Sequence, residues 1–206
     1  SKTDPLYWGM KGSSKADRKG VTLAEFNKNP GNIMYYQVHT SGSKKGQIIM
    51  KDGKPRITSY AQGLIDDGYE IQPGAANYHG VLIHFASDED GLKAKKEWWQ
   101  RTKNWSAYKG KTVDEALMAY SGNGYDSSNL NVGIKGTRLL SDLNQDELDS
   151  LSINQIRAED VNNYKRLINN NLITVDPNTK IASITTQTAG KEEELLQKSI
   201  TQSMER

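Results

Sequence analysis

Polar and apolar positions divide this chain into a β-rich stretch followed by helical ones. Residues 33–60 carry runs of bulky β-formers broken by turn residues. Ile33–His39 reads as one strand and Thr40–Gly46 as a polar loop. Gln47–Lys51 and Arg56–Tyr60 flank Asp52-Gly53, a pair that favours a tight hairpin turn. Residues 61–80 read as a loop-rich connection, and Val81–Phe85 as a short buried strand or turn. From Ser87 the spacing becomes helical. Ser87 followed by three acids predicts a helix reaching about Lys103. Trp98 and Trp99 lie on adjacent faces of that helix and cannot both point the same way. Val113, Ala116, Leu117 and Tyr120 fall at i, i+3, i+4 and i+7 behind the capping box Thr112–Glu115.

Toward the C-terminus, Asn144–Glu147 predicts a short capped helix with Leu143 and Leu148 as its hydrophobic staple. Ser152–Gln155 opens a longer helix, residues 172–187 suggest a hairpin around Asp176, and Lys191–Arg206 a final helix. The fold class is α+β: a short helix, β-hairpins, then helices, with a small αβα C-terminal appendage. The expected organisation is an N-terminal arm over residues 1–20, a main domain over 21–140 and the appendage over 141–206. The aromatic knot Leu6-Tyr7-Trp8 in the arm, and the last helix, are candidate docking segments.

Composition narrows the chemistry. Among 206 residues there is no Cys, which excludes disulfides and zinc-thiolate sites. The three His lack metal-ligand spacing, so neither a metal nor another cofactor is expected. No apolar run is long enough to span a bilayer, and Ser1–Lys15 lacks the apolar core of a signal peptide. The net charge is +2, with Lys and Arg interleaved with acids, so no phosphate-binding stripe and no nucleic-acid partner are expected.

What remains is carboxylate chemistry. Glu25 lies at the end of a one-turn helix beside Phe26, an apolar neighbour of the kind that suits a general acid. The spacing Thr22-x-x-Glu25 equally explains it as the closing residue of a capping box. Asp52 could be a second carboxylate but is explained by its hairpin turn; Asp66, Asp67 and Glu70 are explained by a solvated loop, with Glu70 as a reserve candidate. Glu159 reads as part of a solvated helical face. Asn27, Asn29 and Asn32 supply amides suited to sugar hydroxyls or, alternatively, to a left-handed turn. Tyr35, Tyr36, Trp98, Trp99 and Trp105 could stack on sugar faces or serve as core.

Asn29-Pro30-Gly31-Asn32-Ile33, followed by Tyr35, resembles the Asn-Pro-Gly-Asn motif of a family of bacteriophage virion domains. Two further segments are similar to the family's, in the same order: Ile83–Leu92, and Tyr108–Val113 through Tyr120. The resemblance covers about residues 25–125. It implies a lysozyme-like fold, a place in the virion, and peptidoglycan as substrate for a glycosidase or lytic transglycosylase. Glu25 would then be catalytic, with Asn27, Asn29, Asn32, Tyr35 and Tyr120 lining a sugar cleft. Family members carry their catalytic Glu on a helix well upstream of the motif. Here that segment, Lys11–Val21, has none, so Glu25 is the acid that could take over. The alternative is a virion structural or assembly protein that keeps the fold without the activity. It would contact other virion proteins through the N-terminal arm and the C-terminal helix.

Overall fold

A computed structural model describes residues 12, 14–39, 41–77, 79–122, 124–185, 197–198 and 200–202. The chain forms two compact units, Ser1–Trp105 and Ser106–Arg206. Helices and small antiparallel sheets are mixed, as an α+β reading expects. The boundary expected near residue 140 falls inside the second unit, where Leu140–Asp142 is one 3-10 turn.

In the first unit, α1 (Leu23–Phe26) is a single turn, with the Thr22 hydroxyl accepting from the Glu25 N–H at 3.2 Å. It breaks where the sequence turns to Asn and Pro. Lys28 and Asn32 both take left-handed backbone, at φ 52° and 50°. The chain then runs extended through residues 33–38, and this segment is the middle of the sheet. On one side it meets β4 (Gly80–Phe85), with the Tyr35 N–H donating to the Val81 carbonyl and that of Ile83 to the Ile33 carbonyl. On the other it meets the hairpin of β1 (Met50–Lys51) and β2 (Lys54–Pro55), through bridges Tyr36–Ile57 and Val38–Ile48. Asp52 and Gly53 have φ of 52° and 74°, the left-handed pair that a two-residue hairpin turn requires.

Residues 61–80 are not the expected loop. They contain most of α2 (Ser59–Asp66), capped by Thr58, and all of β3 (Ile71–Asn77), which pairs antiparallel with β4. Pro73-Gly74 argues against a strand in sequence, but the register shifts between Pro73 and Ala76, and a bulge tolerates both residues. The expected single helix from Ser87 is two, α3 (Asp88–Lys96) and α4 (Trp98–Thr102), parted at Glu97. The break accommodates the two tryptophans. Trp99 is fully buried, while the Trp98 ring lies 4.5 Å from that of Tyr60.

Nor are residues 12–20 wholly a free arm. The Arg18 guanidinium donates to the carbonyls of Gly12 (2.8 Å) and Val21 (3.1 Å), and Gly12 packs on the Phe26 ring. Leu6-Tyr7-Trp8 lies outside the described residues, as does most of the expected final helix; residues 197–198 and 200–202 are helical.

The second unit holds α5 (Val113–Ser121) and α6 (Ser127–Leu130), then α7 (Gln145–Glu159), α8 (Val161–Asn169) and a hairpin of β5 (Ile173–Val175) with β6 (Ala182–Ile184). The capping boxes at Thr112 and Asn144 both form. Leu143 and Leu148 are buried as a staple should be. The two helices expected on either side of Ser152 are one continuous α7, with Ser152 fully buried mid-helix rather than at a helix start. The break comes at Asp160, which caps α8.

One device recurs in both units. The Asn27 side chain is fully buried and pairs with both main-chain groups of Ala75, accepting from its N–H at 2.8 Å and donating to its carbonyl at 3.0 Å. Asn154 on α7 does the same to Ala182, at 3.0 and 3.2 Å. Asn29, also fully buried, accepts from the Ile33 N–H and donates to the carbonyls of Ile33 and Ile83, each at 2.9 Å. Asn29→Ala removes three hydrogen bonds and leaves the buried Ile33 N–H without its acceptor, while the Ile33 carbonyl still accepts from the Ile83 N–H. A buried main-chain group left unsatisfied costs about 1–3 kcal/mol, beyond the bonds lost. We expect it to destabilise the protein by about 3 kcal/mol or more in urea unfolding. Asn32→Gly, which relieves a left-handed side chain, should leave stability within about 1 kcal/mol.

Candidate functional site

The Asn-Pro-Gly-Asn turn is wedged between the sheet and α3. A Cβ on Gly91 would lie 2.1 Å from the Lys28 carbonyl oxygen, and one on Gly31 would lie 2.6 Å from Lys95 Cδ. Both glycines are therefore places where backbone or a packed side chain comes too close for any other residue. Lys95 is fully buried, its stem against Gly31 and its ammonium 5.8 Å from the Trp98 ring centre.

Beside this joint, the β3–β4 sheet carries a shallow groove of about 480 Å³, lined by Glu70, Gln72, His84 and neighbouring Ile71, Phe85 and Ala86. Gln72 and His84 are directly opposite in the ladder, so their side chains share a face, and Glu70, just before β3, lines the same groove. α1 and the turn border it. The Phe26 ring meets His84 edge-on at 6.3 Å, and Lys28 Nζ donates to the Ala86 carbonyl at 3.1 Å. Burial, helped by the nearby Lys28 ammonium, lowers the His84 pKa below its ordinary value. The groove thus offers a carboxylate, an amide and an imidazole biased to its neutral form, chemistry that suits a polar, hydroxyl-rich ligand.

The residues expected to line a sugar cleft are placed unevenly. Glu25 is half-buried, next in sequence to Phe26 at the groove's edge. Asn27 and Asn29 do not face a cleft. Their amides are buried and bonded to main chain, so a ligand arriving from outside finds nothing to bind there. Asn32 is half-buried and takes the left-handed conformation that the turn reading anticipates. Tyr35 is buried, its ring edge-on to Tyr36 at 4.8 Å. Trp98, Trp105 and Tyr60 pack on one another within the first unit rather than forming a stacking platform.

Tyr120 belongs to the second unit. It sits beside Tyr125 and Glu159, with ring centres of the two tyrosines 6.4 Å apart. The Tyr125 hydroxyl donates to Glu159 at 3.2 Å and accepts from Gln155 at 2.9 Å. Burial, followed by the Glu159 carboxylate, raises the pKa of both tyrosines. Glu159, expected on a solvated face, is instead part of this half-buried network, a role that helical periodicity does not signal.

Sequence spacing gives His84 no partner; only strand register sets it opposite Gln72. Among the described residues no group of His, Asp and Glu could hold a metal ion. None of their helices is long and apolar enough to cross a membrane. Comparison with known proteins finds no family model, no curated protein and no solved structure that matches this chain.

A histidine whose folded pKa is lowered binds fewer protons folded than unfolded. Its neutral form therefore supports the fold above its ordinary pKa, and that support is lost as pH falls toward the folded value. The melting temperature of the wild type should accordingly drop more between pH 7.5 and pH 5 than that of His84→Gln. Lys28→Met should raise the His84 pKa in an NMR titration.

Proposed function

We propose that this chain is a bacteriophage virion protein whose first unit is a lysozyme-like domain acting on the glycan strands of peptidoglycan. The observation that carries this reading is the meeting of two of the segments that resemble the phage family. Asn29 of the first bonds Ile33 in its own segment and Ile83 in the second, and Gly91 of the second packs on Lys28 at the edge of the first. Residues more than fifty apart thus make one joint, and a groove with acid, amide and imidazole groups opens beside it.

In this reading a glycan strand lies along the groove. Glu25 protonates the glycosidic oxygen as general acid, and Glu70, Gln72 and His84 bind sugar hydroxyls. Peptidoglycan is the partner outside the particle, and neighbouring virion proteins are the partners within it. The third resembling segment, Tyr108–Tyr120, lies in the second unit, and its tyrosines support that unit's interior rather than the groove.

The burial of Asn27, Asn29 and Tyr35 favours a second reading, in which the motif serves the fold alone and the protein is a non-catalytic virion component. Incubation with purified peptidoglycan separates the two. The catalytic reading expects release of soluble fragments, reduced about 10²-fold or more by Glu25→Gln, the usual scale for a lost general acid. A folded wild type that sediments with peptidoglycan but releases nothing selects the second reading. If it neither sediments nor cleaves, action on peptidoglycan is ruled out.

A further inference from the structure

A second groove, independent of the first, points to a different ligand. It has a volume of about 780 Å³ and lies between the β1–β2 hairpin and α2. In sequence the hairpin's cations alternate with other residues and look dispersed. Folding collects them. Lys51 is directly opposite Lys54 in the ladder, and Arg56 follows Lys54 by two residues, so all three side chains leave the same face of the hairpin. All three are exposed and line the groove.

Like charges set directly opposite one another destabilise a strand pair. No ion pair is formed by these three cations among the described residues. Two carboxylates also line the groove: Asp52 at the hairpin tip, and Asp66 at the last residue of α2, where it accepts from Gln62 at 2.9 Å. Ser59 and Gln62 form the facing wall. No aromatic residue lines the groove, so it has nothing on which to stack a base or a sugar. Three clustered cations with hydroxyl and amide donors opposite suit the oxygens of a phosphate chain.

We propose that this face of the hairpin binds the phosphodiester backbone of nucleic acid, without reading its sequence. Lys51, Lys54 and Arg56 each neutralise a phosphate, and affinity arises from released counterions.

The test is fluorescence anisotropy of the full chain with a labelled 20-base-pair DNA duplex of mixed sequence, repeated with a duplex of unrelated sequence. The expected dissociation constant is on the order of 10⁻⁴–10⁻⁶ M and the same for both duplexes. The binding constant should fall with salt at a log–log slope of about −3, from about −0.9 per neutralised phosphate. The variant Lys51→Gln/Lys54→Gln/Arg56→Gln should lose at least tenfold in affinity while melting no lower than the wild type, since the opposed Lys51–Lys54 pair is gone, and while keeping its behaviour toward peptidoglycan. No binding at 50 mM salt, or binding unchanged in a folded triple variant, overturns the proposal. Competition by polyglutamate as effective as that by DNA would overturn it too, since a general attraction for polyanions would then suffice.

Discussion

Three buried asparagine amides hold the architecture together. Each offers a donor and an acceptor on one short, rigid side chain, so it can satisfy a main-chain N–H and a carbonyl at once. Asn27 and Asn29 tie the end of a single-turn helix to strands about fifty residues away, and Asn154 ties α7 to β6. α1 has only four residues and cannot persist by its own hydrogen bonds. Its position is fixed because the turn that follows is bonded into the sheet. The groove beside Phe26 depends on that fixation, since α1 forms its border.

The same constraint explains the glycines. A turn held this tightly lies against α3 with no room for side chains at Gly31 or Gly91, and Gly74 is required because a Cβ there would come within 2.4 Å of Asn27 Oδ1. Sequence patterns that look like recognition motifs are, in the first unit, largely records of close packing. The polar groove lies beside the motif, on residues whose neighbours come from strand pairing.

Local signals were the legible ones. The Thr112 and Asn144 capping boxes, the Asp52-Gly53 turn and the Leu143–Leu148 staple are fixed by residues within five positions of one another, and each forms as its spacing predicts. What could not be read depends on distant partners. Pro73-Gly74 conceals a strand whose bulge Asn27 supports from 48 residues away. The Ser87 pattern predicts one helix with Trp98 and Trp99 on adjacent faces, and only the packing shows the break at Glu97. Asn27 and Asn29 look equally suited to a sugar and to a left-handed turn, and only the folded chain shows their amides buried and bonded to strands. The His84–Gln72 pairing and the cationic face of the β1–β2 hairpin come from register, which the order of residues along the chain does not display.

The asparagine bonds also bear on how this protein behaves in a crowded solution. In an antiparallel strand the N–H and carbonyl of one residue point to the same side, and an unoccupied side is a template on which another chain can add as a strand. Asn27 occupies that side of β3 at Ala75, and Pro73, two residues earlier, has no N–H to give. Asn154 occupies the corresponding side of β6 at Ala182. At Ala75 and Ala182, therefore, the side chains that build the fold from within also occupy backbone groups that another strand could otherwise pair with.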